Sequence, residues 1–509
     1  MTTVVHRRVF QQALWILAAL FAIVWAVVRA CVQSITMDEA LTYLSFVVRS
    51  DIWSPSANNH ILNSLLMWMT THAFGTSNIT VRAPALLGGI VYICACYVLC
   101  RNIADRFSLQ FPIFICLIYN PFLFDFMVAA RGYSLANAFL LVAIAVPLWH
   151  TVKGGLSLRT SCILASLALG LSFTANFAFA FVDIAAFLGL VTWATTLARQ
   201  RRESESIVRV VEFCTLPGLA VALLLCGYAL EQWKREELWW GAHSFREMAQ
   251  SLVASSLYQP DLRFLGPRRF REMLVLKPLL LPLLGILCFC QLVVTRLDGS
   301  WRADSRARWL GWFTLALIGI LALPVLIHGL AFHFANVPLP MGRTGIYLVP
   351  LFTLLAGTIA ASPARSLVSR WLRSGITAVF ICLGCYFLLC IRLSYFVEYK
   401  WNAEVKDVYS VLARLNHTYG VTEVAANGLF LNALNYYRAL SKGETFPEFT
   451  VALSDPDAGR PAAIYILYGT DDRKLIATQK LAVIYDGRIS DVAIAVKADG
   501  RIPRARLDP

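Results

Sequence analysis

Two carboxylates stand side by side in the stretch Ser34–Phe46, SITMDEALTYLSF: Asp38 and Glu39. They follow the apolar run Ala13–Val32, which at about 20 residues is long enough to cross a bilayer. A carboxylate pair just outside a membrane span is costly and calls for a reason. One reason is local: Asp and Glu favour the first turn of a helix, and Asp38 can cap one. The other is chemical: a general base at the membrane surface. Two adjacent carboxylates are expected to raise one another's pKa, which brings a base nearer working pH. The two readings are compatible.

The elements that must position this pair are membrane spans. The chain has 509 residues, 58% of them hydrophobic and 15% charged, with a mean hydropathy of +0.62. Soluble domains carry about 25% charged residues, so the composition excludes an ordinary soluble fold. Apolar runs predict about 11 transmembrane helices, at residues 12–32, 81–100, 108–122, 133–150, 160–175, 177–197, 210–230, 278–296, 309–329, 344–361 and 375–395. The first run is too long for a signal-peptide core and no small-residue cleavage site follows it. The thirteen cysteines lie in or beside apolar runs and read as small hydrophobes. The Cys94, Cys96 and Cys100 group lacks zinc-ligand spacing.

The net charge of +14 follows topology rather than a nucleic-acid surface. With the N-terminus cytoplasmic, the inside loops hold basic groups such as Arg7 and Arg8, Arg199 to Arg209, and Arg302 to Arg308. The first outside loop, residues 33–80, holds only Arg49, and the other short outside loops hold only Arg131 and Arg343. The expected location is therefore a multi-pass plasma or inner membrane protein, with Asp38, Glu39 and the C-terminal tail on the extracytoplasmic side. In the first outside loop, Ile61 to Phe74 reads as an interfacial helix preceded by the polar turn Asn58, Asn59 and His60. His60 there reads as a cap. The long outside loop 231–277 is rich in Trp and Arg, including Trp239, Trp240, Arg263, Arg268, Arg269 and Arg271. It is either a loop long enough to escape the positive-inside rule or a site for anionic lipid phosphates.

After residue 395 the pattern changes. Helices are expected at Ala403–Leu415 and Leu429–Leu440. Strands are expected at Val421–Ala425, Phe449–Leu453, Ala462–Tyr468, Leu481–Tyr485 and Val492–Val496. This order predicts a small extracytoplasmic α/β domain over 396–509, beyond a transmembrane domain over 1–395. It shows no phosphate-loop glycine pattern.

The acidic pair, the His-led helix NNHILNSLLMWM, the span entry TVRAPALLGG, the turn NPFLFDFMVAARGYSL and the late LPMGRTGIYLVP come in an order that resembles the GT-C class of membrane glycosyltransferases. The resemblance runs from Asp38 to about Gly357. It is narrowest to the branch of protein O-mannosyltransferases and bacterial aminoarabinose transferases of lipid A. Ile61 follows His60 where the family often has proline, and Ala-Ala precedes Arg131 where it often has Glu. The resemblance implies a GT-C-like α-helical polytopic fold and an inverting transferase that uses a polyprenyl-phosphate sugar donor. The acceptor would be a hydroxyl on a lipid, glycan or protein. Membrane lipids are then partners and nucleic acid is not.

In that chemistry a carboxylate must take the acceptor's proton, with Asp38 as the candidate and Glu39 as its orienting neighbour or substitute. The leaving lipid phosphate needs no acid but does need cations. Arg343 leads, since Arg binds phosphate bidentately; Arg131, Arg268 and Arg269 follow. Asp125 is expected to pair with Arg131. His60, Asn59, Tyr133 and Tyr347 are candidates for substrate binding. No metal-ligand set is visible in the sequence, and a divalent cation stays possible. The alternative is a transporter or flippase of a lipid-linked glycan, which should carry ionisable groups at mid-membrane; only Asp183 lies deep in a span. A non-enzymatic assembly subunit is the third reading.

Overall fold

A computed structural model describes residues 2–201, 206–234, 238, 240–261, 267–302, 304–441, 446–453, 462–497 and 502. Among them, ten helices are long and apolar enough to cross a membrane. These are α1 (Thr2–Val32), α4 (Asn78–Ile103), α7 (Tyr133–Lys153), α8 (Leu158–Ala175), α9 (Ala180–Arg201), α10 (Ile207–Gln232), α12 (Pro267–Leu297), α13 (Ser305–Ala335), α14 (Leu348–Ala361) and α15 (Leu367–Leu389). In TM segment terms α14 is extended at its start by the 3-10 turn Gly342–Gly345. Large apolar side chains such as Leu224, Phe289 and Trp312 point outward. That suits a surface facing lipid rather than water.

The third of the expected spans, 108–122, is instead two helices: α5 (Phe107–Tyr119) and α6 (Pro121–Phe126). Pro121 cannot donate to the preceding turn, and the side chain of Asn120 accepts from the amides of Phe122 and Leu123. The break starts a new helix, whose Asp125 reaches Arg29 in the last turn of α1. The short helices α2 (Met37–Thr42), α3 (Ile61–Phe74) and α11 (Phe245–Ser256) lie outside the spans. The spans α4 and α7 approach closely because Gly88 has no side chain; a Cβ there would meet the amide nitrogen of Leu135 at 2.6 Å.

The tail forms α16 (Val405–Tyr419), α17 (Gly428–Leu440) and α18 (Gly469–Thr478), with strands β1 (Val424–Ala426), β2 (Ile464–Tyr468), β3 (Leu481–Asp486) and β4 (Val492–Lys497). The sheet order is β1-β2-β4-β3, with β1 parallel to β2 and the other pairs antiparallel. The expected strand Phe449–Leu453 is only a single bridge, Ala426 to Ala452. The helix α18 was not expected, because it buries no residue and so carries no apolar period. One face of the sheet packs with α16 and α17 into a core that also takes in Ile35, Ala40, Tyr43, Met67 and Val81. The acidic stretch is therefore built into the same core as the tail.

Candidate active site

The site starts with the capping of α2. Thr36 accepts from the Glu39 amide, and the Glu39 carboxylate accepts from the Thr36 amide at 2.9 Å. This reciprocal box fixes Asp38 and Glu39 on different faces of one turn. Glu39 points inward and is fully buried. Arg82, on α4, grips it bidentately, with both N–O distances 2.9 Å. The Ala130 amide donates to the same carboxylate at 2.9 Å. Arg82 also donates to the carbonyls of Ala30, Gln33 and Ser34 at the end of α1. Burial pushes the Glu39 carboxyl up, but Arg82 and the amides of Ala130 and Thr36 outweigh it and hold it below its ordinary range.

Asp38 points the other way. Its Oδ2 lies 3.0 Å from Arg343 Nη2 and 3.7 Å from Arg131 Nε, and accepts from the Tyr399 hydroxyl at 2.8 Å. Burial again raises it, and Arg131, Arg343 and the Tyr399 hydroxyl together pull it below the usual value. The expected mutual raising of the two carboxyls does not occur, because each has its own arginine. Both contribute stability at neutral pH that is lost only as pH falls through their lowered values.

Arg131 is fixed by its other bonds, to Thr42 Oγ1 at 2.8 Å and to Asn58 Oδ1 at 3.2 Å. Its neighbour Gly132 has φ +73°, and a Cβ there would lie 2.1 Å from the Ala175 carbonyl oxygen. Gly132→Ala is therefore expected to lower the unfolding temperature, with a loss of at least about 2 kcal/mol from the left-handed backbone and the clash together. Thermal unfolding in detergent checks this. Arg343 sits on the turn Gly342–Gly345, over the Trp240 ring at 5.4 Å and the Tyr399 ring at 5.6 Å, and donates to the Tyr399 hydroxyl at 2.9 Å. The long loop thus brings Trp240 to the site. The side chains of Arg268 and Arg269 lie outside the described residues.

His60 begins α3 but its side chain caps nothing. Both ring nitrogens are buried without a hydrogen-bond partner, and the ring meets Tyr133 edge-on at 5.6 Å. Burial, then Arg131 and Arg343, push its pKa well below the ordinary value, so the imidazole is neutral. Asn59 donates to the carbonyls of Ile52 and Ser54 and accepts from Ser64, which ties its amide to the loop itself. Tyr347 is buried against Phe179, and its hydroxyl has no partner.

Asp125 does not pair with Arg131. It binds Arg29 at 2.6 Å and accepts from the Val397 amide at 2.6 Å. The helix break at Asn120 aims α6 at the end of α1, where Arg29 ends its span, while Arg131 lies beyond the next turn and faces α2. The Phe396 ring lies between Arg29, at 5.1 Å, and Arg82, at 5.2 Å. This sandwich holds the segment 395–402, a turn that leads into the 3-10 helix Lys400–Asn402, under the site, and with it Glu398 and Tyr399. Sequence reasoning missed both, and Arg29 as well. The available signal was Arg29 itself, a charge in the last turn of an apolar span, which requires a buried partner. Among the described residues no group of three or more His, Cys, Asp or Glu converges as a metal-ligand set.

No family model matches the sequence, and no curated protein matches it. Among solved structures the chain is similar to ArnT from Cupriavidus metallidurans bound to undecaprenyl phosphate, at 12% identity and a TM-score of 0.50, covering 97% of this chain and 99% of that one. The same ArnT in the apo state aligns at 12% identity and a TM-score of 0.49, over 96% and 98%. An apo oligosaccharyltransferase of Archaeoglobus fulgidus aligns at 13% identity and a TM-score of 0.41, over 86% of this chain and 64% of that one. With ten apolar helices arranged as in ArnT along nearly its whole length, the chain is an integral multi-pass membrane protein of the GT-C fold.

Proposed function

We propose that this protein is an inverting glycosyltransferase that moves a sugar from a polyprenyl-phosphate donor to an acceptor hydroxyl at the extracytoplasmic surface of a membrane. The observation that carries the reading is the 3.0 Å approach of Asp38 and Arg343 at the end of the bundle that also bears the C-terminal domain. An anion that can take a proton and a cation that can hold a phosphate share one site. The ArnT structure that this fold matches holds undecaprenyl phosphate, which supports a lipid phosphate as the ligand of such a fold.

The chemistry follows from the pairing. Arg343 and Asp38 neutralise one another in this structure, and a neutralised carboxylate is a weak base. A donor phosphate between Arg343 and Arg131 competes for both guanidinium groups, and Asp38 loses part of the positive charge that lowers its pKa. The base is therefore freed when the donor is in place. The acceptor hydroxyl gives its proton to Asp38 while its oxygen bonds to the anomeric carbon from the face opposite the leaving group. The carbon–oxygen bond to the phosphate breaks, and its electron pair stays on the phosphate. Arg343 and Arg131 stabilise the charge gathering there. Glu39, held by Arg82, positions this turn rather than entering the reaction. The unpartnered nitrogens of His60 and the Tyr347 hydroxyl suit the hydroxyl groups of a sugar.

Arg343→Ala tests the reading. It is expected to weaken donor binding by about ten- to a hundredfold, the scale of a charged hydrogen bond, measured by titration of a polyprenyl-phosphate sugar into the purified protein. Unchanged affinity would move the phosphate away from Arg343. Absence of sugar transfer from every polyprenyl-phosphate donor tried would remove the enzymatic reading and favour transport.

A further inference from the structure

Glu398 lies in the segment clamped beneath the site, and the mechanism above does not use it. Its Oε1 faces the backbone of the Arg343 turn so closely that a Cβ on Gly342 would meet it at 2.9 Å. Its Oε2 is sealed from solvent and has no hydrogen-bond partner. The charged and titratable groups around it are Arg343 from the turn, Asp38 from α2, Asp125 from α6, Tyr133 from α7 and Tyr399 beside it. Of these only Arg343 is a cation. Its two Nη groups go to Asp38 and Tyr399, and Asp125 has Arg29. Among the described residues, then, Glu398 has no cation of its own, whereas Asp38, Glu39 and Asp125 each have one. A buried carboxyl without a counterion favours its neutral form.

We propose that Glu398 acts as a neutral carboxylic acid whose O–H donates to the phosphate of the lipid donor beside Arg343, so that the lipid phosphate is bound while Glu398 is protonated and released when it ionises. This rests on the lipid-phosphate reading of the site and adds a binding residue to it. In the neutral form the group offers a donor to an anion. In the ionised form it sets a third negative charge against a phosphate already next to Asp38. Burial pushes the Glu398 carboxyl up to about 7; Arg343 lowers it and Asp38 raises it. Because the group is raised, the protonated form prevails below about pH 7, and affinity for an anion is full there and falls as pH rises through that value.

The probe is farnesyl methyl phosphate, a phosphodiester whose single charge does not titrate in the range used. Its affinity for the whole purified protein in detergent is measured from about pH 6 to about pH 9. The wild type is expected to lose about tenfold in affinity between about pH 6 and about pH 8. Glu398→Gln keeps a neutral donor and should bind within about threefold of the wild type at pH 6, with no slope. Infrared spectra of the wild type supply a readout that needs no variant: the carbonyl band of a protonated carboxyl should vanish as pH rises through about 7. A flat wild-type profile, an unchanged slope in Glu398→Gln, loss of binding in that variant at every pH, or no such band overturns the proposal. Wild-type protein that fails to bind the probe even at pH 6 overturns the lipid-phosphate reading itself.

Discussion

Asp38→Asn is expected to abolish sugar transfer while leaving the donor bound. Asparagine keeps the shape and can still accept from the Tyr399 hydroxyl, which lies 2.8 Å from Oδ2, but it takes no proton from an alcohol. Loss of a general base lowers the rate by about a hundred- to ten-thousandfold. The donor should bind at least as tightly as before, because Arg343 and Arg131 lose a competing anion. The two readouts therefore move in opposite senses: kcat falls and the donor's Kd does not rise. A structural role alone would damage both together. Heat denaturation with and without a polyprenyl-phosphate donor checks that the variant is folded and occupied. A variant with wild-type turnover removes Asp38 as the base.

Glu39→Gln is expected to fail differently. Glu39 and Arg82 are both fully buried, in a bidentate pair, and Arg82 holds three carbonyls besides. Removing one partner of a buried pair costs about 3–5 kcal/mol, because the other charge is stranded in an apolar surround. The expected result is a large fall in unfolding temperature and in the yield of monodisperse protein, before any assay of turnover. Arg82→Met combined with Glu39→Met should regain part of that loss, since neither charge is then stranded. The recovery is partial, as the end of α1 still loses its donors. If Glu39→Gln is as stable as the wild type and inactive, Glu39 takes part in the chemistry after all.

The spans were legible because an apolar run of bilayer length has few other uses. Where the reading of the membrane part slipped, at 108–122, hydropathy was right and continuity was wrong; the break depends on Asn120 capping a helix that Pro121 begins. In the structure, Asp38 lies against Arg131 and Arg343, and Glu39 against Arg82. Their division of labour was not legible. Adjacent residues in a sequence look equivalent, whereas the Thr36–Glu39 box turns one carboxylate toward Arg82 and leaves the other facing Arg343, Arg131 and Tyr399. Nor was Tyr399 legible. It reaches Asp38 across 361 positions of sequence, from a stretch with no apolar period, at the seam where composition marks a change of domain. Spacing rules work within one helix or strand and are silent about such contacts.

The ring of Phe396, caught between two guanidinium groups, bears on how far the sheet-bearing tail can be treated as an interchangeable module. Grafting another tail onto the last span at this seam would withdraw the Tyr399 hydroxyl from Asp38 and the ring that fills the space between Arg29 of the first span and Arg82 of the second. A chimera that respects the composition boundary would thus inherit an incomplete version of the proposed site, and one that keeps it must carry the stretch around Phe396 along with its membrane half.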